Sequence, residues 1–125
     1  MPRILLVEDH HSLAALRCAM LRKQKYTVAM TGDGREACRL LRQKSSESFD
    51  LVVTDSQLTA GSGWEVARAA RKQHVPVILS TGWPPPASRS GEVDFVLAKP
   101  SSMAQFLALV HLALRKTRPT SSAMK

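Results

Sequence analysis

Five short apolar runs punctuate this chain and constrain its fold more than any other feature: Ile4–Val7, Tyr26–Met30, Leu51–Thr54, Val75–Leu79 and Phe95–Ala98. They are continuous rather than alternating. A strand covered on one face alternates apolar and polar residues, whereas a parallel strand covered on both faces does not. Amphipathic segments separate most of the runs. Leu13, Leu16, Met20 and Leu21 recur at helical spacing, as do Ala37, Leu40 and Leu41, and then Val66, Ala69 and Ala70. The last segment, from Met103 to Leu114, carries Phe106, Leu107, Leu109 and Val110. Strands alternating with helices predict a βα repeat around a parallel sheet. Three helix starts have the capping-box form: Asp33 with Glu36, Ser62 with Glu65, and Ser102 with Gln105.

One connection departs from the repeat. After Thr81 the chain reads Gly82-Trp83-Pro84-Pro85-Pro86 and reaches Gly91 before Phe95. Consecutive prolines cannot occupy a helix interior, and Gly91 weakens any helix beyond them. A parallel crossover needs roughly a dozen residues, so the segment suffices only with a fourth helix that is short or missing. A chain of 125 residues fits one domain. The expected division is a domain over 1–116 and a tail or linker start over 117–125, where Pro, Thr, Ser and Lys lack periodicity.

Composition narrows the function classes. Hydrophobic residues are 44% of the chain, enough for a core and against wholesale disorder. No apolar run approaches the length of a membrane span or of a secretory signal. A cytoplasmic location without a membrane partner is expected. Cys18 and Cys38 fall on separate helices without metal-type spacing and are expected to be buried thiols. The net charge of +8 raises a nucleic-acid or acidic protein partner. The basic residues are nevertheless dispersed: Arg17, Arg22, Lys23 and Lys25, then Arg35, Arg39 and Arg42, then Arg68, Arg71 and Lys72. Aromatics are 5% of the chain and do not interleave with these charges as a base-stacking platform requires. Solvated helix faces are therefore the preferred reading, and nucleic acid is disfavoured.

The polar residues collect where the strands end. Glu8 and Asp9 follow the first run, Asp55 the third, Ser80 and Thr81 the fourth, and Lys99 with Pro100 the fifth. Ligands of open parallel sheets bind beyond the carboxyl ends of the strands. If these strands are neighbours, three carboxylates, a hydroxyl and an ammonium converge. Close carboxylates raise one another's pKa. A hard divalent cation relieves the repulsion, and oxygen ligands with room for water favour Mg²⁺. A metal, a lysine and a hydroxyl suit a transferring phosphoryl group, and a carboxylate beside them can be the nucleophile that forms an aspartyl phosphate. His10 and His11 read as polar residues at a helix start, His74 and His111 as isolated, and Trp64 as a partly buried packing residue.

Together, Val7-Glu8-Asp9-His10, the stretch Asp50 to Asp55, the stretch Pro76 to Gly82 and Lys99-Pro100 resemble the receiver domain of bacterial two-component response regulators. The resemblance runs from Arg3 to about Arg115. It implies a flavodoxin-like α/β fold, a doubly wound five-stranded parallel sheet in the order 2-1-3-4-5. It implies Asp55 as phosphoacceptor, supplied by a histidine kinase or phosphotransfer protein. Asp9 matches the direct Mg²⁺ ligand, Glu8 the second acid acting through water, and Gln57 the residue whose backbone carbonyl completes the metal site. Thr81 matches the switch hydroxyl, Lys99 the lysine that pairs with the phosphoryl group, and Gly63 the glycine that turns the loop after Asp55 into the next helix. Such a domain is a phosphoacceptor that signals to a downstream protein, not an enzyme acting on an outside substrate.

The chain also departs from that pattern. Thr59-Ala60-Gly61-Ser62-Gly63 stands where the family has Pro-x-Met-Asp-Gly or similar. Val96 holds the place of the aromatic switch residue, with Phe95 one earlier, and the spacing from Thr81 to Lys99 is short. Two further readings stay open: a receiver-shaped interaction module whose output does not depend on phosphorylation, and a basic nucleic-acid-binding protein.

Overall fold

The computed structural model describes residues 1–43 and 48–117. β1 (Arg3–Val7) is followed by α1 (His11–Lys23), β2 (Thr27–Thr31), α2 (Gly34–Arg42), β3 (Leu51–Asp55), α3 (Gly63–Lys72) and β4 (Val77–Thr81). A 3₁₀ helix (Ala87–Glu92) leads to β5 (Phe95–Ala98), and α4 (Met103–Thr117) closes the domain. All strands are parallel, in the order β2-β1-β3-β4-β5. The expected tail lies outside the described residues from position 118 onward.

Side chains alternate across each strand, so the sheet has two core layers. Leu5, Val7, Val52, Val77 and Leu79 pack with Ala37, Leu41, Val66, Ala67 and Ala70 of α2 and α3. Ile4, Leu6, Leu51, Val53 and Ile78 pack with Cys18 and Leu21 of α1 and with Phe106, Val110 and Ala113 of α4. β3 and β4 are buried along their whole length. The edge strands are not: Met30 of β2 is 48% and Val96 of β5 is 42% exposed. The continuous burial expected of all the runs thus fails at the edges, where a strand has one neighbour and incomplete helix cover. Cys18 and Cys38 are buried free thiols.

β4 begins at Val77, two residues later than the apolar run indicates. The Val75 amide is taken by the Ala70 carbonyl at the end of α3, 2.9 Å away. Pro76 has no amide to donate. The strand is displaced toward Thr81, its last residue.

Two of the expected capping boxes close fully. Ser62 and Glu65 exchange side-chain and backbone bonds, and so do Ser102 and Gln105, at 2.8 and 3.0 Å. The third is half a box. Asp33 Oδ1 accepts from the Arg35 and Glu36 amides, but the Glu36 carboxylate is held by Arg39. His10 caps α1, its Nδ1 accepting from the Leu13 amide at 3.2 Å, which agrees with its reading as a helix-start residue.

The crossover from β4 to β5 is the short one expected. Its 3₁₀ helix has six residues, none buried and none capped by a side chain. Val93, just beyond it, is buried in the core layer on the α3 side, and charge adds further ties to α3. Arg68 reaches Glu92 at 3.4 Å and Arg71 reaches Asp94 at 3.6 Å. Arg89 pairs with Glu92 at 3.5 Å and lies over the half-buried Trp64, 4.5 Å from its ring centroid. Among the described residues no helix is long and apolar enough to cross a membrane.

Candidate functional site: an acidic pocket at the carboxyl ends of the strands

Register brings the site together. Val7 pairs with Thr54, Asp55 with Ser80, and Thr81 with Ala98. Strands lie about 4.8 Å apart, so Glu8, Asp55, Thr81 and Lys99 emerge along one rim of the sheet. Glu8, Asp9 and Asp55 each offer an oxygen, and these lie within 4.8 Å of one another. Glu8 is 4% and Asp55 5% exposed. The Lys99 ammonium meets Asp55 Oδ1 as an ion pair. Thr81 is buried at the end of β4, and its Oγ1 accepts a hydrogen bond from the Trp83 amide at 3.2 Å. Gln57 lies in the loop beyond Asp55, bridged to Ser62.

Gly63 fixes the route of that loop. A Cβ there would stand 1.9 Å from the Asp55 carbonyl oxygen. The Gly63 amide donates to the Ser56 carbonyl at 3.1 Å. α3 can therefore start directly behind the end of β3 only because this residue has no side chain.

The acids sit in unlike surroundings. Burial, then the charge of Asp55, push the Glu8 carboxyl above the ordinary glutamate range; the His10 amide, Arg17 and Lys99 pull the other way. Glu8 Oε2 accepts from the His10 amide at 3.1 Å. The Asp9 carboxyl is lowered, first by the hydrogen bond from the Thr59 hydroxyl. Asp9 Oδ2 accepts from that hydroxyl at 2.6 Å and from the Thr59 amide at 2.7 Å.

A divalent cation fits this donor set. Glu8 Oε1 is buried and accepts no hydrogen bond, with Arg17 Nη1 3.6 Å away, while the buried Asp55 Oδ1 meets the Lys99 ammonium. A buried carboxylate oxygen left without a donor, as Glu8 Oε1 is, is a group that a hard cation satisfies.

Some residues are not where the sequence alone would put them. Arg17, grouped there with solvated helix faces, is 4% exposed, and its Nη1 lies 3.6 Å from Glu8 Oε1. A signal for this exists, since Arg17 stands four residues from both Leu13 and Leu21 on an apolar stripe. Thr59 enters the sequence reading only as a departure from a pattern, yet it holds Asp9. Its reach depends on the loop path, which no periodicity reveals. His111, read as isolated, has the Tyr26 hydroxyl 2.5 Å from its Nδ1.

The sequence profile of the response regulator receiver domain matches residues 4–111. The chain belongs to that family. Its fold agrees closely with the non-phosphorylated HemR receiver domain of Leptospira biflexa, at a TM-score of 0.82 and 30% identity over 95% of this chain and 98% of that one. The receiver domain of a sensor histidine kinase from Pseudomonas aeruginosa PAO1 aligns at a TM-score of 0.75 and 28% identity, over 91% and 98% of the two chains. That structure has a magnesium ion coordinated in its active site cleft. In sequence, the sensory transduction protein RegX3 of Mycolicibacterium smegmatis is 31% identical over 93% of this chain and 52% of its own. This receiver domain thus spans about half the length of the curated relatives it matches. The resemblance carried by the strand-end motifs and the sheet order it implied both hold.

Proposed function

We propose that this receiver domain accepts a phosphoryl group on Asp55 from a histidine kinase or phosphotransfer protein and signals to a downstream protein in the cytoplasm. One observation carries the reading. Asp55 is buried, paired at Oδ1 with the Lys99 ammonium and clustered with Glu8 and Asp9. In this reading Asp9, Asp55 and the Gln57 carbonyl would hold Mg²⁺, with Glu8 acting through water. When bound, it supplies charge that offsets the acids and the phosphoryl oxygens.

The remaining work falls to the chain. An Asp55 carboxylate oxygen attacks phosphorus, and the bond from phosphorus to the donor's leaving atom breaks. Lys99 neutralises charge on the phosphoryl oxygens. The Thr81 hydroxyl, which now accepts from the Trp83 amide, turns to donate to one of them, and the loop that begins at Gly82 responds.

Mg²⁺-dependent labelling by acetyl phosphate, read by intact mass, tests this. The expected result is one label in wild type and none in Asp55→Asn. Labelling that survives the substitution would defeat the assignment.

A second reading is favoured by a separate observation. Val96 stands at the expected switch position, half exposed on an edge strand, and the adjacent crossover is a 3₁₀ turn tied to α3. Here the domain docks constitutively, and partner affinity unchanged by beryllofluoride would favour it. Nucleic-acid binding ranks third. Arg17 is buried beside Glu8, while Arg68 and Arg71 face acids. A steep salt dependence of DNA or RNA binding would be needed to restore it.

A further inference from the structure

A charged side chain seldom sits in a core unless it is paired. Arg17 stands on the face of α1 that otherwise packs Ala14, Cys18 and Leu21. Its guanidinium lies 4.6 Å from the ring centroid of Phe106 in α4, on one side, and 3.6 Å from Glu8 Oε1 on the other. Glu8 Oε1 accepts no hydrogen bond. The contact is therefore one of charge rather than of a shared proton. Burial lowers the pKa of Arg17, and its attraction to Glu8 and Asp55 opposes the loss. Shape alone gives no reason for a guanidinium where the neighbours on α1 are small or apolar.

The two cations of the pocket occupy different depths. The Lys99 side chain is 38% exposed, at the mouth; the Arg17 side chain is 5% exposed, at the floor. With three carboxylates, Lys99 alone would leave the pocket at a formal charge of −2, and Arg17 brings it to −1. The attraction for a divalent cation scales with that charge.

We propose that Arg17 is a positioning residue of the phosphoacceptor site, a built-in cation that holds Glu8 at the floor of the pocket and reduces the site's demand for Mg²⁺. This rests on the receiver mechanism proposed above. The pocket then stays assembled without metal, and Mg²⁺ binds more weakly than it would to the same acids over an apolar floor.

Calorimetric titration of Mg²⁺ into wild type and Arg17→Met tests the role. Methionine keeps an unbranched, polarisable chain against Phe106. The expected result is binding at least about threefold tighter in Arg17→Met, since tenfold corresponds to about 1.4 kcal/mol and only part of a full charge effect survives solvent screening. The metal-free thermal midpoint should fall in Arg17→Met and recover on saturation with Mg²⁺. Arg17→Lys, which keeps the charge, should bind Mg²⁺ within about twofold of wild type; a purely packing role would make the Lys and Met variants alike. Equal or weaker Mg²⁺ binding by Arg17→Met overturns the proposal. Should that variant be unfolded without metal, Mg²⁺ must fold it where sodium chloride does not, and failure of that rescue also overturns it. Parallel labelling of Asp55 separates the two readings. Wild type that takes neither Mg²⁺ nor label defeats the receiver mechanism, whereas normal labelling with unchanged Mg²⁺ affinity in Arg17→Met defeats only the role of Arg17.

Discussion

The crossovers on the two sides of β4 solve the same geometric problem by different means. The one before it, α3, is ten residues long, starts with a complete capping box and buries Gly63, Val66, Ala67 and Ala70. The one after it is built on a six-residue 3₁₀ turn that buries none of its own residues; Val93 just past the turn is buried, and Arg68, Arg71 and Arg89 add ion pairs. The first sits directly behind Asp55, where displacement would move the acidic pocket. The second borders β5 and Val96, where displacement leaves the acids alone. The two crossovers are thus held differently: by an apolar helix face behind the pocket, and by one buried valine with exposed ion pairs at the turn.

The largest test of that contrast is a pair of glycine substitutions. Gly63→Ala must push a methyl group into the Asp55 carbonyl, since its Cβ would lie 1.9 Å from that oxygen. Overpacking of this kind is expected to lower unfolding free energy by at least about 3 kcal/mol, read by denaturant titration. Gly91→Ala meets nothing within 4 Å and should change stability by less than about 1 kcal/mol. Similar losses at both sites would erase the distinction.

Next in size is Val66→Ala. Val66 is fully buried in the layer beneath α3, and truncation is expected to lower stability by about 2 kcal/mol. Arg89→Ala removes an ion pair and a cation–π contact from the second crossover. The loss there should be about 0.5–1 kcal/mol, because both contacts are partly solvated. A larger cost at Arg89 than at Val66 would reverse the comparison.

The smallest effect concerns acid. The Glu8 carboxyl is raised above the ordinary value of 4.5, chiefly by burial, so it takes up a proton at a pH where exposed glutamates are still charged. A proton on Glu8 competes with a cation for the same oxygens. Mg²⁺ affinity, read by calorimetry, should therefore weaken as the pH falls toward the ordinary glutamate range, sooner than it would for exposed acids. Glu8→Gln should flatten the profile. Asp9, lowered by Thr59, stays charged through the same range.

The parts of the molecule legible in the sequence are those governed by local pattern. β5 matches its apolar run, and β1 to β3 differ from theirs by a residue or so, because strands of a sheet covered by helices draw on short apolar stretches even where, as in β2 and β5, the edge leaves them partly exposed. The start of β4 is not legible in this way, because one proline and one helix-end hydrogen bond outweigh apolar character at Val75 and Pro76. The rim residues Glu8, Asp9, Asp55, Thr81 and Lys99 can be named in advance because parallel topology sends every strand end to the same side. Arg17 and Thr59 cannot be given their contacts in the same way. One needs α4 to close over it and the other needs the path of a loop, and both are long-range outcomes. The pairing of α3 with the second crossover is equally hidden, since opposite charges far apart in sequence declare no partner.

A connection fastened by surface charge is one that the solvent can loosen. The distance over which charges feel one another is about 8 Å at 0.15 M salt and shrinks to about 3 Å at 1 M. The pairs of Arg68 with Glu92 and of Arg71 with Asp94 are weakened over that range, while the apolar layers under α3 are not. The segment that borders β5 thereby has a stiffness set partly by the ions around it.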